Sequence, residues 1–490
     1  MLPAIALDSG SDTPLYRQLF EQMRDHIQSG RIPRGERLPA TRELAGMLGL
    51  NRATVSAAYE LLENEGLLKG HVGRGTFVEG SGEPASRIAW EDLEPAIGAS
   101  SPALSLGSGG ISFASSRPDN DLFPMAEFRS TCEEVIHGDA AAAILQLGSP
   151  AGYQPLRQYL LEEARRDGLA GPMDDILITS GCQQALDLMQ RALMRPGDCA
   201  AIEDPVYPGL RGVFATAGAR LVGVPVGANG IGIDALERVI GIERPRLLVV
   251  TPNFQNPTGA TLPLSARQSI LRLAREAGVV LMEHDIYGQL RYEGDPQPPL
   301  KQLDGSEDVI SIGSFSKIAF PGLRVGWVIG PRALIRRLAA AKQYCDLHSD
   351  HLSQAVLFRF AESGRLAAHR ARILEAGAQR LSAMLSACGR YLPEGSRFTR
   401  PQGGMNLWVR LPEPLDAAEL LPRAERANVN YLPGKYFAVS RVEQGGLRLS
   451  FAGLDPARIR EGVSILGRVF SEELERVRAV SGMTPSPALV

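Results

Sequence analysis

The sequence predicts an α/β protein whose body is a mostly parallel sheet covered by helices on both faces, preceded by a small helical domain. From about residue 109 onward, short apolar runs of strand length alternate with helical stretches. A stretch rich in Gly, Ser, Pro and Ala separates this part from the first 80 residues, which combine helical patterns with a glycine-containing hairpin pattern. A chain of 490 residues is too long for one ordinary core, so we expect two or three domains.

The composition predicts a cytoplasmic protein with neither a membrane partner nor a metal site. The hydrophobic fraction of 44% and the charged fraction of 22% are typical of soluble globular proteins. No apolar run approaches ~18 residues, and the first residues lack the basic and apolar regions of a signal peptide. The five cysteines form no CxxC pair, which favours a reducing compartment and argues against structural zinc.

Residues 1–80 are predicted to form a separate N-terminal domain. Apolar side chains recur at i, i+4 spacing from Leu15 to Ile27, which indicates an amphipathic helix. A short second helix is expected with Thr41 as its N-cap, and a third over about 53–64. Two short helices joined by a glycine-containing turn are typical of a helix-turn-helix, and residues 66–78 predict a β-hairpin.

Charge does not support nucleic-acid binding by this domain. The formal net charge of the chain is −3, and residues 1–80 contain nine Arg and Lys against ten Asp and Glu, a balance of −1. Any DNA-binding prediction must therefore rest on motif and placement rather than on bulk charge.

The rest of the chain is predicted to consist of a linker, a large domain and a tail. The composition of 81–108 cannot bury a core, so this segment is predicted to be a flexible linker. The body is expected over 109–475, with a small C-terminal subdomain from about 345, followed by a tail at 476–490. The predicted strands of the body are residues 175–179, 199–203, 220–224, 246–250, 279–283, 309–313 and 324–329. Ligand sites in such sheets lie at the carboxyl ends of the strands, and the motifs of this chain follow strands.

Lys317 is the most informative single residue. Only five of the 52 Lys and Arg residues are lysine, and this one stands between small polar residues and a Phe-Pro-Gly turn. Arginine can hold a charge, but only an amine forms a Schiff base with an aldehyde. The alternative is a surface lysine placed there by chance.

The N-terminal domain resembles the winged helix-turn-helix of GntR-type bacterial regulators. The resemblance covers about residues 14–80 and rests on Leu-Pro-Ala-Thr-Arg-Glu-Leu-Ala at 38–45, Asn-Arg-Ala-Thr-Val at 51–55 and Gly-Arg-Gly-Thr-Phe-Val at 73–78. It implies that one set of side chains faces the major groove and its phosphates, and that the wing tip approaches the minor groove. The groove-facing set is Arg42, Asn51, Arg52, Thr54 and Ser56, and the wing tip is Gly73 and Arg74.

The body resembles the fold-type I pyridoxal-phosphate enzymes, close to aminotransferases acting on aromatic and 2-aminoadipate substrates. The resemblance rests on motifs at 179–185, 204–207, 253–259, 314–324 and 446–451, which occur in the family's order. It implies a Schiff base between the cofactor and Lys317, and an α-carboxylate held by Arg448. The implied cofactor-binding residues are Gly181, Cys182, Gln183, Tyr207, Asn256, His284, Asp285, Tyr287, Ser314, Ser316, Lys317 and Arg324.

One motif departs from the family. The run Glu283-His284-Asp285-Ile286-Tyr287 stands where the family has Glu-Asp-Asp-X-Tyr, whose first Asp bonds the pyridine nitrogen. Aligned without gaps to the family motif, His284 takes the position of the Asp that bonds the pyridine nitrogen. Asp285 is the better chemical choice, and it would bond this nitrogen if only one residue separated the acid from the tyrosine. Adjacent strand residues point to opposite faces, so both cannot address the ring without a bulge or a strand end. A third alternative makes His284 a hydrogen-bonded neighbour only.

Taken together, a GntR-type head, a linker and an aminotransferase-like body resemble the MocR/GabR-type transcriptional regulators. The resemblance implies a homodimer that binds double-stranded DNA at repeated half-sites and senses an amino-acid or amine effector as an external aldimine of pyridoxal phosphate. Because histidine enforces ring protonation weakly, we expect effector capture with slow turnover. The alternatives are an active aminotransferase carrying a DNA-binding head and a cofactor-free dimerisation body.

Overall fold

A computed structural model describes the chain except residues 1, 2, 4, 12, 72–74, 80–105, 107–108, 306–307 and 482–490. The chain divides into two compact units, Met1–Pro95 and Ala96–Val490, and each is described by itself. The predicted linker lies almost wholly outside the described residues, as do Gly73 and Arg74 of the predicted wing tip.

The N-terminal unit is a three-helix bundle with a three-stranded antiparallel sheet. Its elements are α1 (Leu15–Gln28), β1 (Arg37–Leu38), α2 (Thr41–Leu48), α3 (Arg52–Asn64), β2 (Leu68–His71) and β3 (Gly75–Val78). The prediction that Thr41 caps the second helix is wrong. Thr41 is the first helical residue, and the preceding Ala40 is the N-cap without a side-chain bond.

The strands of this unit form a sheet in the order β1-β3-β2. The hairpin was expected, but β1 was not, because two residues give no periodicity to detect. Arg37 pairs with Phe77 across β1 and β3, and a Cβ on Gly75 would lie 2.8 Å from the Arg37 Nε. Arg37 is exposed and belongs to the same sheet as the predicted hairpin.

The second unit contains the remaining elements. Its strands are β4 (Ile111–Ser112), β5 (Asp174–Thr179), β6 (Cys199–Asp204), β7 (Arg220–Gly227), β8 (Gly230–Ile231), β9 (Leu247–Val250), β10 (Val280–His284), β11 (Val309–Ser314), β12 (Gly326–Pro331), β13 (Arg397–Phe398), β14 (Asn406–Arg410), β15 (Val429–Asn430), β16 (Leu432–Pro433) and β17 (Gly446–Ser450). Its helices are α4 (Met125–His137), α5 (Ala141–Ile144), α6 (Gln154–Arg166), α7 (Gly181–Leu193), α8 (Pro208–Thr216), α9 (Ile233–Glu243), α10 (Leu264–Ala277), α11 (Leu300–Asp304), α12 (Arg332–Asp346), α13 (His351–Glu362), α14 (Arg365–Tyr391), α15 (Ala417–Arg426) and α16 (Pro456–Ser481).

An eight-stranded sheet in the order β5-β12-β11-β10-β9-β6-β7-β8 forms the centre of this unit. The pairs from β11 to β7 are parallel, whereas β12 runs antiparallel to both β11 and β5. All seven predicted strands are present within three residues of their expected limits. The prediction of a mostly parallel sheet is therefore confirmed.

Helices cover both faces of the sheet, and alternation along each strand assigns side chains to the two faces. On β5, Leu177 packs in the core that contains α7, whereas Ile176 and Ile178 pack in the core that contains α6. On β10, Met282 belongs to the α7 core and Leu281 to the core on the opposite side. This alternation continues to the end of β10 at His284, where the sequence left open whether His284 or Asp285 faces the ligand site.

The C-terminal part packs around a second, four-stranded sheet in the order β13-β14-β17-β16. Residue 345, near which the sequence predicts the start of this subdomain, lies one residue before the end of α12, and α12 packs with α7 and β5 of the large sheet. The C-terminal core combines residues from Leu381 onward with Ile111 and Phe113, and β4 pairs with β15. Helix α16 continues to Ser481, into the tail predicted at 476–490.

Glu203, near the end of β6, is a buried carboxyl whose titration opposes stability at high pH. It is 1% exposed, and its Oε2 accepts a 3.3 Å hydrogen bond from the Gln255 Nε2. Burial raises the pKa of Glu203 from 4.5 to about 8. Between these pH values the folded protein holds a proton that the unfolded chain has lost, so the free energy of unfolding falls as pH rises, by up to about 1.4 kcal/mol per unit.

We therefore expect Glu203→Gln to remove a stability loss between pH 4.5 and about 8. Urea unfolding followed by tryptophan fluorescence at several pH values measures this, because Trp327 and Trp408 report on the body. Glu237→Gln, at an exposed position, is the control and should keep the wild-type slope. An unchanged slope in Glu203→Gln would show that this carboxyl is ionised in the folded protein.

Candidate functional site

A cleft of about 1070 Å³ opens at the carboxyl ends of the parallel strands, where an α/β sheet places its ligand site. It collects most of the residues that the sequence had singled out. The predicted residues that line it are Cys182, Gln183, Tyr207, Asn256, His284, Tyr287, Ser316, Lys317, Arg324 and Arg448. Gly181 and Ser314 lie just behind this lining, and Asp285 lines a different cavity.

One end of the cleft is built to hold an anion. Helix α7 begins at Gly181, whose φ of +77° and close approach to the Arg324 guanidinium leave no room for a Cβ. The Arg324 Nη1 donates to the Ser316 Oγ at 3.4 Å. The Ser316 Oγ also accepts from the Ser314 Oγ at 3.0 Å. A helix N-terminus beside a guanidinium and a hydroxyl suits a phosphate group, because all three present N–H or O–H donors.

Lys317 lies in the middle of the cleft, in a short 3₁₀ turn directly after β11. Its Nζ donates to the Ser116 carbonyl at 2.9 Å and lies 5.8 Å from the centre of the Tyr287 ring. Burial lowers the pKa of Lys317 to about 8, and nearby arginines add to this effect. A substantial fraction of the amine is therefore neutral, and nucleophilic, slightly above neutral pH.

The alternation along β10 separates the two residues that the sequence left open. His284 shares the face of Met282 and lines the cleft, whereas Glu283 and Asp285 line a second cavity of about 470 Å³. The Asp285 carboxylate accepts from the Asn253 Nδ2 at 2.8 Å and from the Gly288 amide at 2.9 Å. Asp285 is thus engaged on the side of the strand away from the cleft.

His284 is buried, and its Nε2 has no hydrogen-bond partner among the described residues. Burial, with a smaller effect from the Lys317 charge, lowers the pKa of His284 to about 4. The imidazole is therefore neutral at physiological pH, with an unsatisfied ring nitrogen on the side that lines the cleft. An unpartnered buried nitrogen costs free energy unless a ligand satisfies it.

The third part of the cleft is a buried guanidinium. The Arg448 Nη1 donates to the Asn256 Oδ1 at 3.1 Å, and its Nη2 donates to the Ala114 carbonyl. Its Nε has no partner in the described part of the chain, and no carboxylate is paired with it there. Burial lowers the pKa of Arg448 to about 10, which indicates a cation that lacks an anion. Asn256 in turn donates to the Tyr287 hydroxyl at 3.2 Å.

Sequence reasoning missed the segment 114–117, which forms one wall of the cleft. Its Ala114 and Ser116 carbonyls accept from Arg448 and Lys317, and Arg117 follows them at the cleft. No sequence signal could have found the two carbonyls, since every residue has one. Arg117 was one arginine among 47, outside every motif.

The candidate DNA-binding residues lie on and beside α3. Arg42 and Arg52 are exposed, and Thr54 and Ser56 are partly buried on the helix. The Asn51 Oδ1 accepts from the Ala53 amide at 2.9 Å, so Asn51 caps α3 with the atom expected to face DNA. The inward face of α3 is formed by Val55, Ala58, Tyr59 and Leu62, as the periodicity predicts.

The described residues contain no group of three His, Cys, Asp or Glu side chains placed to hold a metal ion. None of the helices in the described ranges is long and apolar enough to span a bilayer. Two features fit an aromatic aldehyde phosphate instead: the Gly181 cradle beside Arg324, and the orphaned Nε2 of His284.

Comparisons with known proteins agree with this site. Residues 15–78 match the family described as bacterial regulatory proteins, gntR family, and residues 119–466 match aminotransferase class I and II. The chain is 36% identical to aromatic-amino-acid aminotransferase 1 of Thermococcus litoralis, over 75% of this chain and 89% of that protein. It superposes with a TM-score of 0.71 and 37% identity on α-aminoadipate aminotransferase from Thermus thermophilus, complexed with N-(5'-phosphopyridoxyl)-L-leucine, over 75% of this chain and 94% of that one.

The fold and site therefore define a protein with a DNA-binding domain of the GntR type and a body that takes pyridoxal phosphate. A full-length relative narrows this class. The probable rhizopine catabolism regulatory protein MocR of Rhizobium meliloti is 30% identical over 95% of this chain and 96% of its own length. The chain belongs to the MocR/GabR-type transcriptional regulators, in which a GntR-type domain is joined to an aminotransferase class I and II domain.

Proposed function

We propose that this regulator senses an amino acid in its cleft and changes its binding to DNA in response. The observation that carries the proposal is the buried Arg448 guanidinium, which has no carboxylate partner among the described residues and an unpartnered Nε. A guanidinium in such surroundings is suited to bidentate binding of a ligand carboxylate. A buried, uncompensated cation of this kind would otherwise only cost stability.

When bound, pyridoxal phosphate supplies an electrophilic aldehyde that condenses with primary amines. Lys317 is the amine placed to hold it, because its pKa of about 8 leaves part of the side chain neutral. The α7 N-terminus, Ser316 and Arg324 would bind the phosphate, and Asn256 and Tyr287 would bind at the ring edge. Tyr207 lines the cleft and would pack against the cofactor ring. Gly209 leaves room for the Tyr207 side chain, because a Cβ at position 209 would overlap it.

His284 is the residue proposed to separate sensing from turnover. His284 lines the cleft at the end of β10, where the pyridine nitrogen would lie, and its Nε2 has no partner among the described residues. A neutral imidazole with a pKa of about 4 holds a proton at that nitrogen far less strongly than a carboxylate does. Exchange of one amine for another needs no carbanion, whereas transamination does, so capture should be fast and turnover slow.

The segment 114–116 offers a route from the cleft to the linker. The Arg448 Nη2 and the Lys317 Nζ each donate to a carbonyl of this segment. A ligand carboxylate and the cofactor need the same two donors, so ligand binding competes with the contacts that hold the segment. Residues 109–113, which include β4, join this segment to 81–108, so a shift of the segment would pass to the linker through β4.

The remaining parts of the proposal concern assembly and location. We propose a cytoplasmic homodimer whose two DNA-binding domains contact repeated half-sites, since two linked domains bind DNA more tightly than one. Arg42, Arg52, Thr54 and Ser56 would contact the major groove, and Gly73 and Arg74 the minor groove. Within the first domain, Arg42 and Arg52 are exposed, which supports this assignment.

An active aminotransferase is the second candidate function. It is favoured by the presence of Tyr207, Asn256, Lys317 and Arg448 in one cleft, and by the 36% identity to an aminotransferase. Binding of the cofactor and catalysis share most of these residues, so they do not separate the two functions.

The test of the proposed function measures DNA binding and cofactor absorbance in the same samples. A duplex selected by the wild-type protein from a randomised library is titrated with and without a panel of L-amino acids and amines. We expect at least one amino acid to change both the DNA affinity and the absorbance, with no keto acid released. Arg52→Ala should weaken DNA binding by about 1–3 kcal/mol without changing the absorbance response. Arg17→Ala, at an exposed arginine of α1, is the matched control.

Two results would contradict the proposal. Stoichiometric release of keto acid with no change in DNA affinity would support the aminotransferase instead. An unchanged DNA affinity in Arg52→Ala would overturn the assignment of α3 as the recognition helix.

A further inference from the structure

The cleft is lined by more cationic side chains than the cofactor and one ligand carboxylate would bind. Five cationic side chains line it: Arg117, Arg211, Lys317, Arg324 and Arg448. No Asp or Glu lines it among the residues that the structure describes. A cleft lined by charges of one sign concentrates ligands of the other sign and selects against cations.

Three of these cations have a use in the proposed function, on which this inference rests. Lys317 and Arg324 would hold the cofactor, and Arg448 the α-carboxylate. Arg211 donates from its Nη1 to the Ala438 carbonyl and so is partly engaged within the protein. Arg117 is the one that has neither a ligand assigned nor a hydrogen-bond or ion-pair partner in the described part of the chain.

The nearest carboxylate in sequence does not neutralise Arg117. The Asp119 Oδ2 accepts from the Arg380 Nη2, and the Asp119 Oδ1 accepts from the Asp121 amide. The Arg380 Nη1 in turn donates to the Ala452 carbonyl at 2.7 Å, which holds this ion pair in a buried place. Arg117 is exposed and lines the cleft with no carboxylate beside it in the described residues, so its charge is available to an anionic group that enters the cleft.

The backbone places Arg117 beside the reacting groups rather than at the phosphate end. The Ala114 carbonyl contacts Arg448, and the Ser116 carbonyl lies 2.9 Å from the Lys317 Nζ. Arg117 is the next residue, and its positive charge acts on Lys317. An effector whose amine replaces Lys317 on the cofactor, and whose carboxylate is held at Arg448, would extend its remaining part within reach of this wall.

We propose that Arg117 binds a second anionic group on the effector, so that the effector is an amino acid with an acidic side chain. Its side-chain group would be a carboxylate, sulfonate or phosphonate, all of which match a guanidinium. The same charges disfavour simple amines, which bring a cation and no anion into the cleft. The proposed effectors are thus acidic amino acids, rather than amino acids and amines in general.

The test compares acidic ligands with neutral ligands of the same shape. Cofactor-loaded protein is titrated with L-glutamate against L-glutamine, and with L-2-aminoadipate against L-norleucine, using calorimetry and cofactor absorbance. We expect the acidic member of each pair to bind about 10-fold or more tightly, as one charge-assisted hydrogen bond allows. Arg117→Gln should remove this preference and leave the neutral ligands unchanged.

Two further variants keep the result interpretable. Arg117→Lys retains the charge and should retain part of the preference, and Arg195→Gln, at an exposed arginine outside the cleft, should behave as wild type. Equal affinity for acidic and neutral ligands, or an equal loss for both in Arg117→Gln, would overturn the role of Arg117 while leaving the proposed function intact. No response to any amino acid would contradict the proposed function and this inference with it.

Discussion

Replacement of Lys317 by alanine should abolish covalent attachment of the cofactor and every response of DNA binding to amino acids. Of the four other lysines, Lys301 and Lys342 are buried against Asp174 and Asp346, at 3.1 and 3.0 Å. Lys69 lies in the N-terminal unit, and Lys435 is exposed and does not line the cleft. The described part of the cleft thus contains a single primary amine, and an arginine cannot replace it chemically.

The measurement is the mass of the protein after borohydride reduction, which makes the attachment permanent. Wild type and the control Lys435→Ala should gain the mass of the cofactor less one water and plus two hydrogens, and Lys317→Ala should not. The variant should still bind the selected DNA duplex, because α3 belongs to the other compact unit. Retention of covalent cofactor, or of the effector response, by Lys317→Ala would rule out the proposed role of this residue.

Replacement of His284 by aspartate should convert the sensor into a faster transaminating protein. The aspartate would be ionised beside the pyridine nitrogen and would stabilise a proton there, which the wild-type imidazole does weakly because burial lowers its pKa to about 4. Groups that stabilise charge in the transition state typically contribute about 10²–10³-fold to the rate. We expect a gain of about 100-fold in single-turnover conversion of the cofactor by an amino acid.

The control for this prediction is His284→Asn, which is neutral and should remain slow. A second readout is the pH dependence of cofactor absorbance, which should flatten near neutrality in His284→Asp because the carboxylate holds the ring proton. If His284→Asp gave no gain while Asp285→Asn altered both the absorbance and the rate, Asp285 would be the partner of the ring. Fast, stoichiometric conversion by wild type would refute the separation of capture from turnover.

The parts of this protein predicted from sequence share a local cause. The strands of the large sheet are short apolar runs because they are buried on both faces, and each is visible without knowledge of its neighbours. The Lys317 and Asn256 motifs depend on contiguous residues after strands, so their order along the chain sufficed to predict one cleft. The helices of the N-terminal domain follow from i, i+4 periodicity for the same reason.

The parts that were missed depend on contacts between distant residues. β1 has two residues, and β4 pairs with β15 across more than 300 positions of sequence. The predicted boundary near 345 falls at the end of α12, and nothing within the sequence of α12 shows that this helix packs on the large sheet. The capping of α3 by the Asn51 side chain was missed, because capping and DNA recognition use the same polar residue types, and the DNA contact of Asn51 stays a prediction.

By itself, then, the sequence determined the domain order, the sheet, the family and the lysine, because these depend on periodicity and on contiguous motifs. Only the tertiary structure placed His284 at the cleft and Asp285 at the second cavity, because a strand presents alternate residues to opposite faces and packing selects the face that meets the cleft. It also brought the 114–117 wall to Lys317 and Arg448, about 200 and 330 residues away in sequence. No local sequence pattern encodes this contact between distant segments, which also places Arg117 at the cleft.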